Sequence, residues 1–307
     1  MIRLIALALA LSVSLTPGLL PAQQRPAAPA SDTVSCSRCA EWNAPQRPFR
    51  IFGNTYFVGT HGLSAILLTS PRGHVLIDGA IPQSAPQILA NVRALGFRVG
   101  DIRLILNSHV HFDHAGGIAA VQRASGARVA ASAASARVLR RGTSGPDDPQ
   151  YGSLPGFPAV RGPVRVVADG ETVRVGGLAL TLHATPGHTP GGSTWSWRSC
   201  EGGRCLDLVY ADSQTPVSSD SFFFSRNTTY PGAIADFERG ARVLEHLPCD
   251  VLLTPHPEAS GLWDRLAARD AGNRDALVDP GACARLASAA RQQLARRLAE
   301  ERTKLGG

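Results

Sequence analysis

The densest chemistry in the chain lies in NSHVHFDHAGG, residues 107–117, where three histidines and an aspartate fall within six positions directly after an apolar run. Imidazole nitrogens and carboxylate oxygens are common donors to zinc. In extended chain leaving a strand, alternate side chains share a side, so His109 and His111 aim at one point. Asp113 and His114 sit where the backbone turns toward Gly116-Gly117, and they aim at a second point nearby. This spacing suits two metal ions better than one. Each ion needs three or four protein ligands, so both sets must be completed from elsewhere. His188 in HATPGHTPGG and His256 in LLTPHPEAS each occupy a Pro/Gly-rich turn after an apolar strand, and each can complete one set. Six ligands across two ions leave coordination positions open, the mark of a catalytic site rather than of a protein that only stores metal.

The remaining histidines test how selective this assignment is. His183 lies within the strand before His188 and is read as backing the site or packing, in preference to binding metal directly. His61, His74 and His246 lack ligand-like neighbours and read as surface or satisfied core residues. The chain has no GxSxG or SxxK motif for a serine mechanism.

The elements that must position these residues follow from apolar patterning. FRIFGNTYFV at 49–58, LSAILLTS and GHVLIDGA read as consecutive strands, and SAPQILANVRALG reads as a helix capped by Ser84. RLILNS, IAAVQRAS and ARVAAS continue as strand, helix and strand. VRVVADGETVRV with its Asp-Gly turn, LALTLHAT, STWSWRS and RCLDLVYAD read as more strands. A helix at about 232–247, the strand CDVLLT and a last helix at about 280–302 follow. The last helix carries a stripe of Cys283, Leu286, Ala290, Leu294 and Leu298. Strands followed by helices, twice, predict two packed sheets with helices outside. No linker separates the halves, so residues 49–307 are read as one domain. Two long loops, 142–158 and 214–232, read as lids or binding walls; Phe222, Phe223 and Phe224 either line a substrate groove or pin their loop to the core.

Residues 1–22 read as a secretory signal, with Arg3, the apolar LIALALALSVSL and a small-residue cleavage context ending at Ala22. An uncleaved anchor is the rival reading, disfavoured by the break at Thr16-Pro17-Gly18. Residues 23–48 read as a Pro/Ala/Gln-rich lead-in, extended or mobile. Export favours disulfides among the six cysteines. Cys200 and Cys205 flank the turn-like EGGR, Cys249 and Cys283 can tie a strand start to the last helix, and Cys36-Cys39 is read as an N-terminal cross-link over a redox or zinc motif. The net charge of +7 is scattered arginine, Lys304 being the only lysine, and the densest basic stretch is interleaved with glutamates. That pattern is a solvated helix face and argues against a nucleic-acid partner.

Together HVHFDHAGG, GHTPGG, the late TPH and the upstream LIDGA resemble the metallo-β-lactamase superfamily across nearly all of the mature chain. GHTPGGSTWSW, YADSQTP and LPCDVLLTPHPEASGLWDRL resemble the third subclass of the class B β-lactamases, which uses only histidine and aspartate as ligands. The resemblance implies an α/β fold, an αββα sandwich of two mixed sheets flanked by helices, with the metals at the edge between the sheets. It implies two zinc ions per chain, the first on His109, His111 and His188, the second on Asp113, His114 and His256. Asp78 would brace the metal loop, and Ser213 and Thr215 would meet the substrate carboxylate. Some relatives carry a cysteine at the position of His61, which leaves the partners of Cys36 and Cys39 open.

The expected activity is hydrolysis of the β-lactam amide of penicillins, cephalosporins and carbapenems by a hydroxide shared between the zincs, with Asp113 orienting it. A periplasmic monomer with no stable membrane association after signal cleavage is expected. The alternative is an exported hydrolase of the same fold acting on thioesters, lactones or phosphodiesters, in which Asp212 of YADS would bridge the metals.

Overall fold

The computed structural model describes residues 33–306; the expected signal segment lies outside them. In chain order the elements are α1 (Cys39–Trp42), β1 (Phe49–Phe52), β2 (Thr55–Phe57), β3 (Ile66–Leu68), β4 (His74–Ile77), α2 (Ala85–Ala94), β5 (Ile102–Leu106), α3 (Phe112–Ala115), α4 (Ile118–Ser125), β6 (Arg128–Ala131), α5 (Ala133–Arg141) and β7 (Val164–Val166). There follow β8 (Thr172–Val175), β9 (Leu178–Ala184), β10 (Ser193–Glu201), β11 (Arg204–Tyr210), α6 (Ala233–His246), β12 (Val251–Leu253), α7 (Leu262–Asp270) and α8 (Ala282–Gly306).

β1 to β7 form one sheet in sequence order, and the second sheet runs β12-β11-β10-β9-β8. Both are mixed: β4 through β7 pair in parallel and so do β11 and β12, while the other pairs are antiparallel. Period-two alternation explains the layers. Val75 and Ile77 of β4 face the second sheet, where they join Leu180, Leu182, Trp195, Leu208 and Leu253 in the central core. Leu76, between them, faces Ile88, Val92, Ile118 and Leu139 of the helices on the other side. Val209 and Leu252 likewise turn outward to Ala241 and Leu244 of α6 and Cys283 and Ala287 of α8. The result is the expected helix–sheet–sheet–helix sandwich.

Several local expectations change. The stretch 49–58 is not one strand: it turns at Gly53-Asn54, so that β1 and β2 pair with each other. The Asp169-Gly170 turn does not join neighbouring strands, because β7 belongs to the first sheet and β8 to the second. Ser84 does not cap α2 with its side chain; it ends a 3₁₀ turn, and its hydroxyl donates to Asn43 Oδ1 at 2.6 Å. The described part of the lead-in is docked rather than free: the Val34 and Gln83 amides exchange two hydrogen bonds at 2.9 and 3.1 Å. Disulfides join Cys36–Cys39, Cys200–Cys205 and Cys249–Cys283. No described helix is long and apolar enough to cross a membrane.

Candidate metal centre

Three loops meet at one edge of the sandwich. The chain leaving β5 carries His109 and His111, α3 adds Asp113 and His114, the turn between β9 and β10 adds His188, and the turn after β12 adds His256. Asp78, just past β4, is the anchor. Its carboxylate accepts hydrogen bonds from the Ser108 amide (2.8 Å) and hydroxyl (2.6 Å), Asn107 Nδ2 (3.0 Å) and the Tyr210 hydroxyl (2.9 Å). It holds a left-handed backbone, φ 62°, a conformation that costs energy unless the surroundings fix it. The glycines of HAGG and GHTPGG are there for close approach: a Cβ on Gly117 would lie 2.1 Å from the Gly79 carbonyl, and one on Gly192 would lie 2.3 Å from Asp212 Oδ2.

The donor atoms of His109, His111 and His188 lie within 4.8 Å of one another, all on buried residues. The outer nitrogen of each ring is held. His109 Nδ1 donates to Asp212 Oδ1 (2.7 Å), His111 Nε2 to the Asp148 carboxylate (3.1 Å) and His188 Nδ1 to the Thr215 carbonyl (2.8 Å). With each ring donating, the other nitrogen's lone pair is left for a metal, although Gln150 Nε2 lies 3.4 Å from His111 Nδ1. Asp113 Oδ2 stands 3.2 Å from His114 Nε2 and 3.3 Å from His256 Nε2, which makes a second group. The rings of His109 and His114, 4.4 Å apart, set the two groups side by side.

The residues fit metal ions. His109 Nε2 is buried with no hydrogen-bond partner among the described residues, a costly state that coordination would relieve. Burial pushes His109 well below its ordinary imidazole value and His188 to about 3, so both are neutral donors. Burial also drives Asp212 well above the carboxylate range and raises Asp78, a cost that nearby dications would offset. Burial would raise Asp113 too, yet the neighbouring His114 and His256 outweigh it and hold Asp113 well below its usual value. Five imidazoles and a carboxylate, with no thiolate, are a set that zinc accepts.

The family model for the metallo-β-lactamase superfamily matches residues 58–270, which includes all six of these donors. The chain belongs to the metallo-β-lactamase superfamily. Among solved structures it is similar to the Rm3 metallo-β-lactamase, with 56% identity and a TM-score of 0.86 over 88% of this chain and 100% of that one. It is also similar to MEM-A1, a subclass B3 metallo-β-lactamase from a soil metagenome library, at 48% identity and TM-score 0.84 over 86% of this chain and 99% of that one. A hydroxyacylglutathione hydrolase from Anaeromyxobacter dehalogenans (strain 2CP-C) is 35% identical over 131 residues, 43% of this chain. The match spans only 40% of that relative's length.

In this superfamily member a cleft of about 590 Å³ opens over the candidate donors, lined by Gln150 and Leu154 of one long loop, Thr215 and Val217 of the other, and Ser213 just before it. Both long loops thus contribute to the lining of the cleft. Phe222 and Phe224 do not line this cleft: they are buried with Tyr230, Phe237 and Leu294, and also edge a separate groove of about 510 Å³ beside Asp148 and Tyr151. Trp42 of α1 makes a further wall, its ring 5.4 Å from that of His256. His183 is not brought to the ligands; its Nε2 pairs with Ser196 Oγ at 2.8 Å across β9 and β10, so its role is packing. His61 stacks on Trp263, His74 accepts from the Ser70 amide, and His246 bonds the Arg242 carbonyl, all away from the donors.

Proposed function

We propose that the chain is an exported subclass B3 β-lactamase that hydrolyses the amide of penicillins, cephalosporins and carbapenems with two zinc ions and thereby confers resistance. The observation that carries this reading is the paired donor set of His109, His111, His188 and Asp113, His114, His256, with every cysteine in a disulfide, in a chain that covers all of Rm3 at 56% identity. Three disulfides, and no described helix fit to span a membrane, support a periplasmic location. A single copy suffices in this reading, since all six donors come from one chain.

His109, His111 and His188 would hold the first zinc and Asp113, His114 and His256 the second. When bound, zinc polarises the substrate carbonyl and lowers the pKa of water toward about 7. Asp113, ionised at neutral pH, would anchor the second zinc and orient the attacking hydroxide. Ser213 and Thr215 present hydroxyls at the cleft wall for the substrate carboxylate, and Gln150, Leu154, Val217 and Trp42 exclude bulk water. Asp212 Oδ1 pairs with the outer nitrogen of His109, while Oδ2 is buried without a partner among the described residues, so the choice between β-lactams and the thioester or phosphodiester alternative falls to the rates.

The test is a rate panel on a penicillin, a cephalosporin, a carbapenem, a glutathione thioester and an aryl phosphodiester, with and without a chelator. Chelator-sensitive β-lactam turnover is expected; preference for the thioester would replace the proposal with the alternative.

A further inference from the structure

The C-terminal helix carries a partly buried ion pair, Arg297–Glu301, that the reaction does not use. Glu301 of α8 is 1% exposed, and its carboxylate accepts from the Phe224 and Ser225 amides, both at 2.8 Å, and from Arg297 Nε at 2.8 Å. Arg297 Nη2 donates to Ser218 Oγ (2.6 Å) and the Phe222 carbonyl (3.1 Å), and its guanidinium lies over the Phe224 ring. Every partner outside the helix belongs to the loop 214–232, more than seventy residues away in sequence. Burying a charge pair is costly unless its hydrogen bonds are satisfied, and here loop backbone satisfies them. A hydrophobic pair could anchor the helix more simply. The polar pair fixes the path of the loop backbone.

That path leads to the metal centre. Ser218 is three residues from Thr215, whose carbonyl holds His188 Nδ1 and accepts from the Val217 amide at 2.9 Å. Ser219 also donates its amide to the Pro149 carbonyl, one residue from Asp148 at the outer nitrogen of His111. We propose that Arg297 and Glu301 are positioning residues: from α8 they latch the 214–232 loop so that Thr215 orients His188 and, with Val217, forms the substrate wall. Neither residue touches substrate or metal.

The kinetic part of this proposal rests on the β-lactam reading; the structural part does not. The zinc-loaded full chain is compared with Glu301→Gln, which keeps the shape and removes the charge, and Arg297→Lys, which keeps the charge and loses the fork. In Glu301→Gln, KM for a β-lactam is expected to rise on the order of fivefold with kcat within about twofold, the pattern of lost substrate positioning. Amide exchange at Val217, Phe224 and Ser225 should quicken, and the His188 Nδ1–H resonance should broaden or vanish. Arg297→Lys should fall between it and the wild type, and gives the same readouts if Glu301→Gln does not fold. Unchanged exchange overturns the latch. Faster exchange at Phe224 and Ser225 alone, with Val217, the His188 resonance and KM as in the wild type, reduces the pair to a structural anchor and also overturns it. If the wild type hydrolyses no β-lactam, the functional reading fails while the exchange and resonance data still decide the latch.

Discussion

The two donor groups share one edge of the sandwich but are held differently. In the first, all three imidazoles are buried and each has its outer nitrogen engaged, by Asp212, Asp148 and the Thr215 carbonyl. In the second, His114 Nδ1 is, like His109 Nε2, a buried nitrogen with no partner among the described residues and open to a metal, and His256 is 32% exposed with Trp42 against its ring. Orienting partners raise ligand basicity and fix ring direction, so the first group is expected to hold an ion more tightly than the second. The difference also divides labour. In the proposed reaction the rigid group would set the frame, while Asp113, in the looser group, would orient the attacking hydroxide.

The contrast can be broken or sharpened by substitution. The largest effect is expected from Asp113→Ala, which removes a proposed ligand and the group proposed to orient the hydroxide; β-lactam turnover should fall to near the buffer rate while the other group, measured by metal analysis, retains zinc. Asp212→Ala and Asp148→Ala leave all six donors in place and should weaken zinc at the first group by about 10–100-fold in a chelator competition, as outer partners typically do. Equal loss from both groups would remove the contrast. A pH series tests the same difference through protonation. Burial keeps His109 and His188 below the ordinary imidazole value, whereas for His114 the lowering effect of burial is outweighed by Asp113, which holds it above. A raised pKa means that protons compete for the ligand at a higher pH, so zinc should leave the second group first as pH falls from about 7.5 to about 5.5. The smallest effect is expected from Trp42→Ala, which should loosen His256 by a few-fold in second-ion affinity and leave the first ion unchanged.

The better-braced group was also the harder to read. All six donors are legible in the sequence, because each histidine cluster stands in a polar or Pro/Gly-rich turn directly after an apolar strand. The brace is not. Asp148 reaches His111 across 37 positions from within an irregular loop, and no period or spacing announces such a contact. Asp212 stands out by type, but whether it bridges metals or holds His109 depends on which way a ring turns. Sheet membership is similarly non-local: the Asp-Gly turn at 169–170 has hairpin chemistry, yet its two strands enter different sheets. Helix α5 was there to be found. Ser132 accepts the Ser135 amide at its start and Gly142 closes it with φ 76°.

The most direct test of the account is to strip the purified chain with a chelator, return zinc in steps, and follow β-lactam hydrolysis against zinc bound per chain. Two zincs should bind in order, with restored hydrolysis reaching its plateau as the second site fills. A chain that binds a single, fully coordinated zinc, or one loaded with zinc that leaves every β-lactam intact, would contradict it.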